Sequence, residues 1–236
     1  MKIGVIGAMQ MEVDNLQANM TDTKVVEYSG ITFVEGKIDG KSVVAAKCGI
    51  GKVFAAICAQ TMILEFNVDM IVNIGVAGSL TKDLSVFDVA VATNVVQHDM
   101  DATGFGYRKG QIPQMPVFFF NADDNLRRLA AEVCKEVNPD IQVFEGRIAS
   151  GDQFVCDQGV KDNIVKEFSA YAVEMEGAAI GQAAALNGVP FLIIRAISDK
   201  ADDSATMDYP TFEAQAIEHS VKLVESFVSR IPEDAY

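Results

Sequence analysis

Three carboxylates stand where apolar stretches of this chain break. Glu12 follows the segment GAMQM, Glu176 ends the segment VEME, and Asp199 follows the apolar run 191–197, which only an arginine interrupts. An ionised carboxylate avoids an apolar interior unless it is paired, hydrogen-bonded or in use, because its desolvation costs several kcal/mol or more. Three acids placed in this way predict a pocket that moves protons and binds hydroxyl groups.

Each of these positions also has a purely structural interpretation. A carboxylate in the first turn of a helix usually only stabilises the helix dipole, and this would account for Glu12. Arg195 lies inside the apolar run, so a structural ion pair with Asp199 is an alternative to a functional role. Phe154 is an isolated aromatic residue after a strand, and such residues more often belong to the core than to a stacking site.

The elements that must position these acids alternate along the chain. Apolar strands alternate with amphipathic or alanine-rich helices from end to end, which is typical of an α/β fold. Strands at 32–38 and 42–48 flank Asp39-Gly40, a tight-turn dipeptide, and so predict an antiparallel pair. Segment 100–114 holds three glycines and a proline and predicts a loop. We expect a single domain over residues 1–236, a three-layer α/β fold with a central mixed, twisted β-sheet flanked by helices.

Ligands of open α/β sheets collect at the carboxyl ends of strands. Five positions follow predicted strand ends and are expected to share one cleft: Gly7, Gly75, Gly151, Glu174 and Ser198.

Composition and charge exclude several classes of partner. The chain has 236 residues, half of them apolar, and a formal net charge of −14, which argues against nucleic acid and membrane surfaces. Its four cysteines lack paired spacing and are expected to be reduced thiols. No leader peptide or membrane span is recognisable, so we expect a cytoplasmic protein. With only two histidines, His98 and His219, no metal site is expected.

Four motifs in this order, GAMxxE, SGDxF, VEMEG and RAISD, resemble those of the bacterial 5'-methylthioadenosine/S-adenosylhomocysteine nucleosidases, within the nucleoside phosphorylase superfamily. The resemblance extends from Met1 past the YPTF segment at 209–212. It implies hydrolysis of the N-glycosidic bond of methylthioadenosine, S-adenosylhomocysteine and 5'-deoxyadenosine to adenine and the free sugar, in methionine salvage and adenosylmethionine recycling. It implies no cofactor.

The resemblance also implies roles for individual residues. Glu12 corresponds to the acid that activates the attacking water, and Asp199 to the acid that protonates adenine N7. Glu176 would bind the ribose hydroxyls. The remaining residues expected to bind substrate are Met175 against the sugar, Phe154 and the backbone of Val155 at the adenine, Arg195 beside Glu176 and the water, Ser198 beside Asp199, and Met9, Ile50, Val76 and Tyr209.

The resemblance implies a homodimer in which a loop of one subunit covers the site of the other. Ala102, Phe105, Tyr107 and Pro113 occupy the corresponding positions in segment 100–114. Val76 stands where many relatives have serine, which removes a hydroxyl near the ribose. Some relatives with the same GVAGS variant also accept aminodeoxyfutalosine, so the breadth of substrates stays open.

The positively charged side chains of the sequence bear on whether water or phosphate is the nucleophile, because a phosphate needs positive charge to bind it. No arginine precedes Arg108, and Arg195 is the one arginine in an apolar strand. One arginine beside two carboxylates makes a poor anion site, which favours hydrolysis. Lys47 and Lys52 flank Cys-Gly-Ile-Gly, but their spacing is not that of a P-loop. A phosphorolytic purine nucleoside phosphorylase and a non-catalytic nucleoside-binding protein remain the alternatives.

Overall fold

Ten strands and six helices alternate along residues 1–232, which this computed structural model describes except for the side chains of residues 214 and 218–221. The strands are β1 Lys2–Gly7, β2 Thr21–Tyr28, β3 Ile31–Ile38, β4 Lys41–Lys47, β5 Met70–Ser79, β6 Val89–Gln97, β7 Phe120–Asn121, β8 Val143–Ser150, β9 Ala172–Glu174 and β10 Phe191–Asp199. The helices are α1 Gln10–Ala18, α2 Lys52–Phe66, α3 Asp124–Val137, α4 Gln158–Phe168, α5 Gly177–Leu186 and α6 Ala205–Arg230.

All of these strands belong to one mixed sheet. From one edge the order is β2, β3, β4, β1, β5, β9, β8, β6 and β10, and β7 pairs with β6. Strand β10 also pairs in parallel with β5, from Phe191 beside Ile71 to Asp199 beside Gly78. Strands β5, β9, β8, β6 and β10 therefore form a closed circuit, and the other strands extend from it as an open sheet.

Helices cover both faces of the sheet. A side chain at Gly4 would meet Met62 of α2, whereas a side chain at Gly7 would meet Val13 of α1. Strand residues an odd number of positions apart point to opposite faces, so α1 and α2 lie on opposite sides of β1. Helix α5 packs against α2, and α6 packs against α1 and α3. A mixed sheet between two layers of helices confirms the predicted fold class.

The two central strands explain why charged groups are buried in this protein. Every residue of β10 is buried, and all but one residue of β5. Strands covered on both faces read as nearly continuous apolar runs, as these two do. A polar side chain on β10, such as Arg195 or Asp199, is therefore enclosed by the fold and needs polar partners inside it.

Most predicted elements are present, with shifted ends. The hairpin of β3 and β4 is antiparallel, and its turn residues Asp39 and Gly40 both have positive φ, which confirms the predicted tight turn. Segment 100–114 is irregular apart from a short 3-10 turn at Thr103–Phe105, and this agrees with the predicted loop. Strands β5 and β10 continue beyond their predicted ends, so Gly75 and Ser198 lie inside strands rather than after them. Along residues 1–232, no helix is both long and apolar enough to cross a bilayer.

Candidate active site

A cavity of about 450 Å³ opens at the carboxyl ends of β1, β5, β9 and β10. Eleven of the predicted site residues line it: Met9, Glu12, Ile50, Val76, Phe154, Met175, Glu176, Arg195, Ser198, Asp199 and Tyr209. Glu12, Glu176 and Asp199 are thus brought into one cavity from α1, the start of α5 and the end of β10.

Helix α1 fixes Glu12 through its first turn. Glu12 Oε2 accepts hydrogen bonds from the backbone N–H of Ala8 at 2.6 Å and of Met9 at 2.9 Å. Burial raises the pKa of Glu12, while these N–H groups, that of Val76 and the charge of Arg195 favour the anion. A Cβ at Gly75 would lie 2.7 Å from Glu12 Oε1, so only glycine leaves room for this carboxylate.

Arg195 pairs with Glu174. Its Nη2 donates to Glu174 Oε2 and, at 2.5 Å, to Asn73 Oδ1, while Nη1 donates to the carbonyl of Ile194 at 3.0 Å. The structural alternative of an Arg195–Asp199 ion pair is therefore wrong. The reason is geometric, since the end of β9 brings Glu174 against the guanidinium.

Glu176 stands between the cavity and the start of α2. Its Oε1 accepts a hydrogen bond from the backbone N–H of Gly51 at 2.7 Å, and its Oε2 lies 4.0 Å from Arg195 Nη2. Burial and the neighbouring charge of Glu174 raise the pKa of Glu176 to about 7, although Arg195 opposes this. A carboxylate of this kind binds hydroxyl groups as an anion and can exchange a proton near neutral pH.

Asp199 lies where the pairing of β10 with β5 becomes irregular. Its Oδ2 accepts from Ser198 Oγ at 2.9 Å, and its Oδ1 accepts from the Ala201 backbone N–H at 2.8 Å. Burial raises the pKa of Asp199, and the negative charges of Asp208 and Asp202 add to this effect. The environment thus favours a protonated acid that can donate to a bound ligand.

Aromatic and thioether side chains form the mouth of the cavity. Phe154 is 43% exposed and meets Tyr209 edge to face, with ring centroids 5.6 Å apart. The Tyr209 hydroxyl lies 3.4 Å from Met9 Sδ and donates to Glu213 at 2.7 Å. Phe154 is therefore not a core residue, and its ring is available to a flat heterocycle.

Lys52 ties the segment that carries Phe154 to the rest of the site. Its backbone N–H donates to Asp152 Oδ1 at 2.8 Å, and its Nζ donates to Asp99 Oδ1 at 2.6 Å and to Gln97 Oε1 at 3.1 Å. Lys52 is thus engaged in protein contacts and is not a free phosphate ligand. Among the side chains that the structure describes, no three His, Cys, Asp or Glu residues cluster in a way that would hold a metal ion.

The remaining predicted residues lie outside this cavity. Val155 lines a small adjoining pocket that shares Phe154 and Asp199 with it. The four loop residues Ala102, Phe105, Tyr107 and Pro113 do not line it, and Phe105 is 87% exposed. Sequence reasoning missed four lining residues, Ala8, Ala77, Gly78 and Val173, which offer only backbone or an apolar side chain. Glu174 was expected in the cleft as an acid at the end of an apolar strand, but no role was predicted for it.

This chain is similar to known proteins along almost its whole length. The sequence profile of the phosphorylase superfamily matches residues 2–229. A 5'-methylthioadenosine/S-adenosylhomocysteine nucleosidase of Shewanella loihica is 37% identical over 98% of this chain and 100% of its own length. The corresponding protein of Staphylococcus haemolyticus is 40% identical over 96% of this chain and 98% of its own.

Solved structures give the same result. A 5'-methylthioadenosine/S-adenosylhomocysteine nucleosidase of Neisseria meningitidis, in complex with methylthio-immucillin-A, is 39% identical with a TM-score of 0.94, covering 98% of this chain and 99% of that one. A futalosine hydrolase of Helicobacter pylori is 39% identical with a TM-score of 0.92, covering 98% of both chains. Likeness of this extent concerns the whole chain rather than one motif.

Proposed function

Because the chain belongs to the phosphorylase superfamily, and within it to the 5'-methylthioadenosine/S-adenosylhomocysteine nucleosidases, we propose that it hydrolyses the N-glycosidic bond of these two thionucleosides. The products are adenine and the free thioribose, as in methionine salvage. The observation that carries the proposal is the convergence of Glu12, Glu176 and Asp199 on one cavity of about 450 Å³.

Asp199 acts on the base. As the bond between the sugar C1' and the adenine N9 breaks, the departing base gains negative charge, and a proton on N7 neutralises it. The raised pKa of Asp199 supports its role as the donor, and Ser198 Oγ holds its carboxyl group in place. Phe154, exposed at the mouth, is suited to stack on the adenine ring.

Glu12 and Glu176 act on the sugar. Positive charge develops on C1', and the Glu176 anion stabilises it while binding the ribose hydroxyls. Water attacks C1' and gives one proton to Glu12, whose carboxylate three backbone N–H groups orient. The other proton stays on the new sugar hydroxyl, so each acid ends one proton away from its starting state and is reset by solvent. Two acids in different environments thereby serve two different steps.

Water is favoured over phosphate by the charge of the cavity. Among the described residues that line it, Arg195 alone is a cation, and it is already bonded to Glu174. A phosphate dianion would face the carboxylates of Glu12, Glu174 and Glu176 with no free positive charge to receive it. This arrangement argues against the phosphorolytic alternative.

Apolar residues in the lining of the cavity suit a thioether substituent. Met9, Ile50 and Val76 provide apolar surface, and Val76 supplies no hydroxyl to the sugar. The likeness to a futalosine hydrolase supports aminodeoxyfutalosine as a further substrate. The nucleoside 5'-deoxyadenosine, which lacks the thioether substituent, would meet the same acids.

We further propose that the protein acts as a homodimer in the cytoplasm. Val53, Phe54 and Ile57 on α2 and Leu186 on α5 are large apolar side chains that a single subunit leaves exposed. Phe105 and its loop neighbours, which do not reach this chain's own cavity, are free to cover that of a partner. Four free cysteines suit a reducing compartment, and the net charge of −14 disfavours nucleic acid.

The direct test measures base and sugar products. Purified protein is incubated with methylthioadenosine, S-adenosylhomocysteine and inosine, each with and without phosphate. We expect adenine and unphosphorylated sugar from the first two, at a rate that phosphate does not change. A sugar 1-phosphate would make the protein a phosphorylase, and tight binding without turnover would make it a nucleoside-binding protein.

Substitutions at Glu12 and Asp199 test the roles proposed for these two acids. Glu12→Gln and Asp199→Asn are each expected to lower kcat by about 10²-fold or more, the share of a positioned base or acid. Exposed neighbours serve as matched controls, Asp14→Asn for the first and Asp203→Asn for the second, and should retain full activity. Near-normal adenine release by either active-site variant would remove its assigned role.

A further inference from the structure

Glu174 receives hydrogen bonds from four groups around it. Its Oε2 accepts from the backbone N–H of Glu176 at 3.1 Å and of Gly177 at 2.8 Å, and from Arg195 Nη2. Its Oε1 accepts from Ser150 Oγ. Only 2% of the Glu174 side chain is exposed. A buried carboxyl surrounded by donors is built to be an anion.

Arg195 is directed at this anion rather than at Glu176. Its Nη2 bonds Glu174 and Asn73, whereas Glu176 Oε2 stays 4.0 Å away. Asn73 is itself held, because its Nδ2 donates to the carbonyl of Ile6 at 2.8 Å. The guanidinium is therefore held in a fixed orientation on the β9 side of the cavity.

The placement of Arg195 matters for the chemistry proposed above. A carboxylate that forms a close ion pair with arginine loses much of its ability to stabilise a positive sugar. We propose that Glu174 is a positioning residue, which holds Arg195 away from Glu176 and so leaves the Glu176 carboxylate unneutralised toward the substrate. The inference rests on the proposed function.

The surroundings of Glu176 agree with this. Its carboxyl is faced by Glu174 from β9, by Glu12 from α1, by Arg195 from β10 and by the backbone N–H of Gly51, and the buried Cys48 thiol lies near it. Burial and then Glu174 are the main causes that raise the pKa of Glu176 to about 7, against Arg195 and Gly51. With Glu174 neutral, Arg195 would be free to pair with Glu176 and the pKa of Glu176 would fall.

The first test compares E174Q, which removes the charge with little change of shape, and E174D, which keeps it. We expect E174Q to lower kcat about 10-fold or more while KM changes less than about 3-fold, because the loss concerns the transition state. The acid limb of its kcat/KM profile should move down by about one pH unit or more. E174D should restore the limb to its wild-type position. Equal losses at every pH, with the limb unmoved, would overturn the inference.

A second measurement does not depend on turnover. Protein labelled with ¹³C at the glutamate carboxyls is titrated by NMR, and the Glu176 resonance is identified by its absence in E176Q. We expect this resonance to titrate at lower pH in E174Q than in the wild type, and an unchanged midpoint would contradict us. This result stands even if no nucleoside is hydrolysed, so failure of the inference and failure of the proposed function are distinguishable.

Crystals of the wild-type protein cover the case in which E174Q does not fold. Structures at mildly acidic and mildly alkaline pH should both keep Arg195 Nη2 within hydrogen-bond distance of Glu174. An Arg195 side chain that turns to Glu176 at alkaline pH would overturn the inference.

Discussion

Glutamine at position 176 should stabilise the ligand-free protein at alkaline pH while it abolishes activity. The pKa of Glu176 is about 7 in the folded protein and near 4.5 in an unperturbed chain. Between these values the folded state holds a proton that the unfolded chain has released. Stability from this group is therefore complete below about pH 4.5 and is lost as the pH rises through 7.

The size of the effect follows from the same shift. Each pH unit in this interval lowers the free energy of unfolding by about 1.4 kcal/mol, which amounts to about 3 kcal/mol by pH 8. In a protein of this length that difference corresponds to roughly 6–12 °C in Tm. Glu176→Gln keeps an oxygen that can accept from Gly51 and has no charge to bury, so it escapes this loss.

The assay is urea unfolding of wild type and Glu176→Gln at several values between about pH 5 and pH 8. Asp199 and Glu12 also have raised pKa values, so both proteins should lose stability with rising pH. The difference between the two curves isolates Glu176, and should grow by about 2.5 kcal/mol from pH 5 to pH 8. Glu167→Gln, on the exposed face of α4, is the control and should follow the wild type. Parallel curves for wild type and Glu176→Gln would refute the reasoning.

Three further changes probe the support of the site. Gly75→Ala should lower kcat by about 10-fold or more, as its Cβ would lie 2.7 Å from Glu12 Oε1, and steady-state kinetics beside a thermal melt will separate this from unfolding. Lys52→Met removes the contacts of Nζ with Asp99 and, at 3.9 Å, with Asp152, and should raise KM with little change in kcat, because the segment that carries Phe154 loses this ion pair; an unchanged KM would contradict this. Phe227→Ala, at a fully buried position of α6, should cost about 3–5 kcal/mol in urea unfolding without altering KM.

The sequence predicted those elements that have a buried face and a clear boundary. The β3–β4 hairpin was predictable because Asp39-Gly40 accepts positive φ between two apolar strands. Strand β2 was not, since it lies at the edge of the sheet and seven of its eight residues are exposed, which leaves no hydrophobic pattern. Helix α6 begins at Ala205, before the YPTF segment at 209–212, and contains Pro210 in its second turn, where proline is tolerated better than deeper in a helix.

The site was predictable residue by residue but not pair by pair. An acid at the end of a strand is visible in the sequence, and eleven of the predicted residues line the cavity. Which glutamate forms the ion pair with Arg195 depends on how β9 and β10 are placed relative to each other in the sheet. Glu174 and Glu176 differ by two residues in sequence, yet one lies against Arg195 and the other 4.0 Å from it. No local pattern distinguishes them.

The closed circuit of β5, β9, β8, β6 and β10 limits how a ligand can enter. The strands at the free edge of an open sheet can separate, but each strand of a closed circuit is hydrogen-bonded to neighbours on both sides. Moving β10 outward at Arg195 or Asp199 would therefore break its backbone hydrogen bonds to the adjacent strands. Entry of the substrate and release of the products then depend on segments outside the closed circuit. These are residues 151–157 and the first turns of α6, where Phe154 and Tyr209 meet. Asp199, which ends a strand of the circuit, is expected to keep its place while these two segments move.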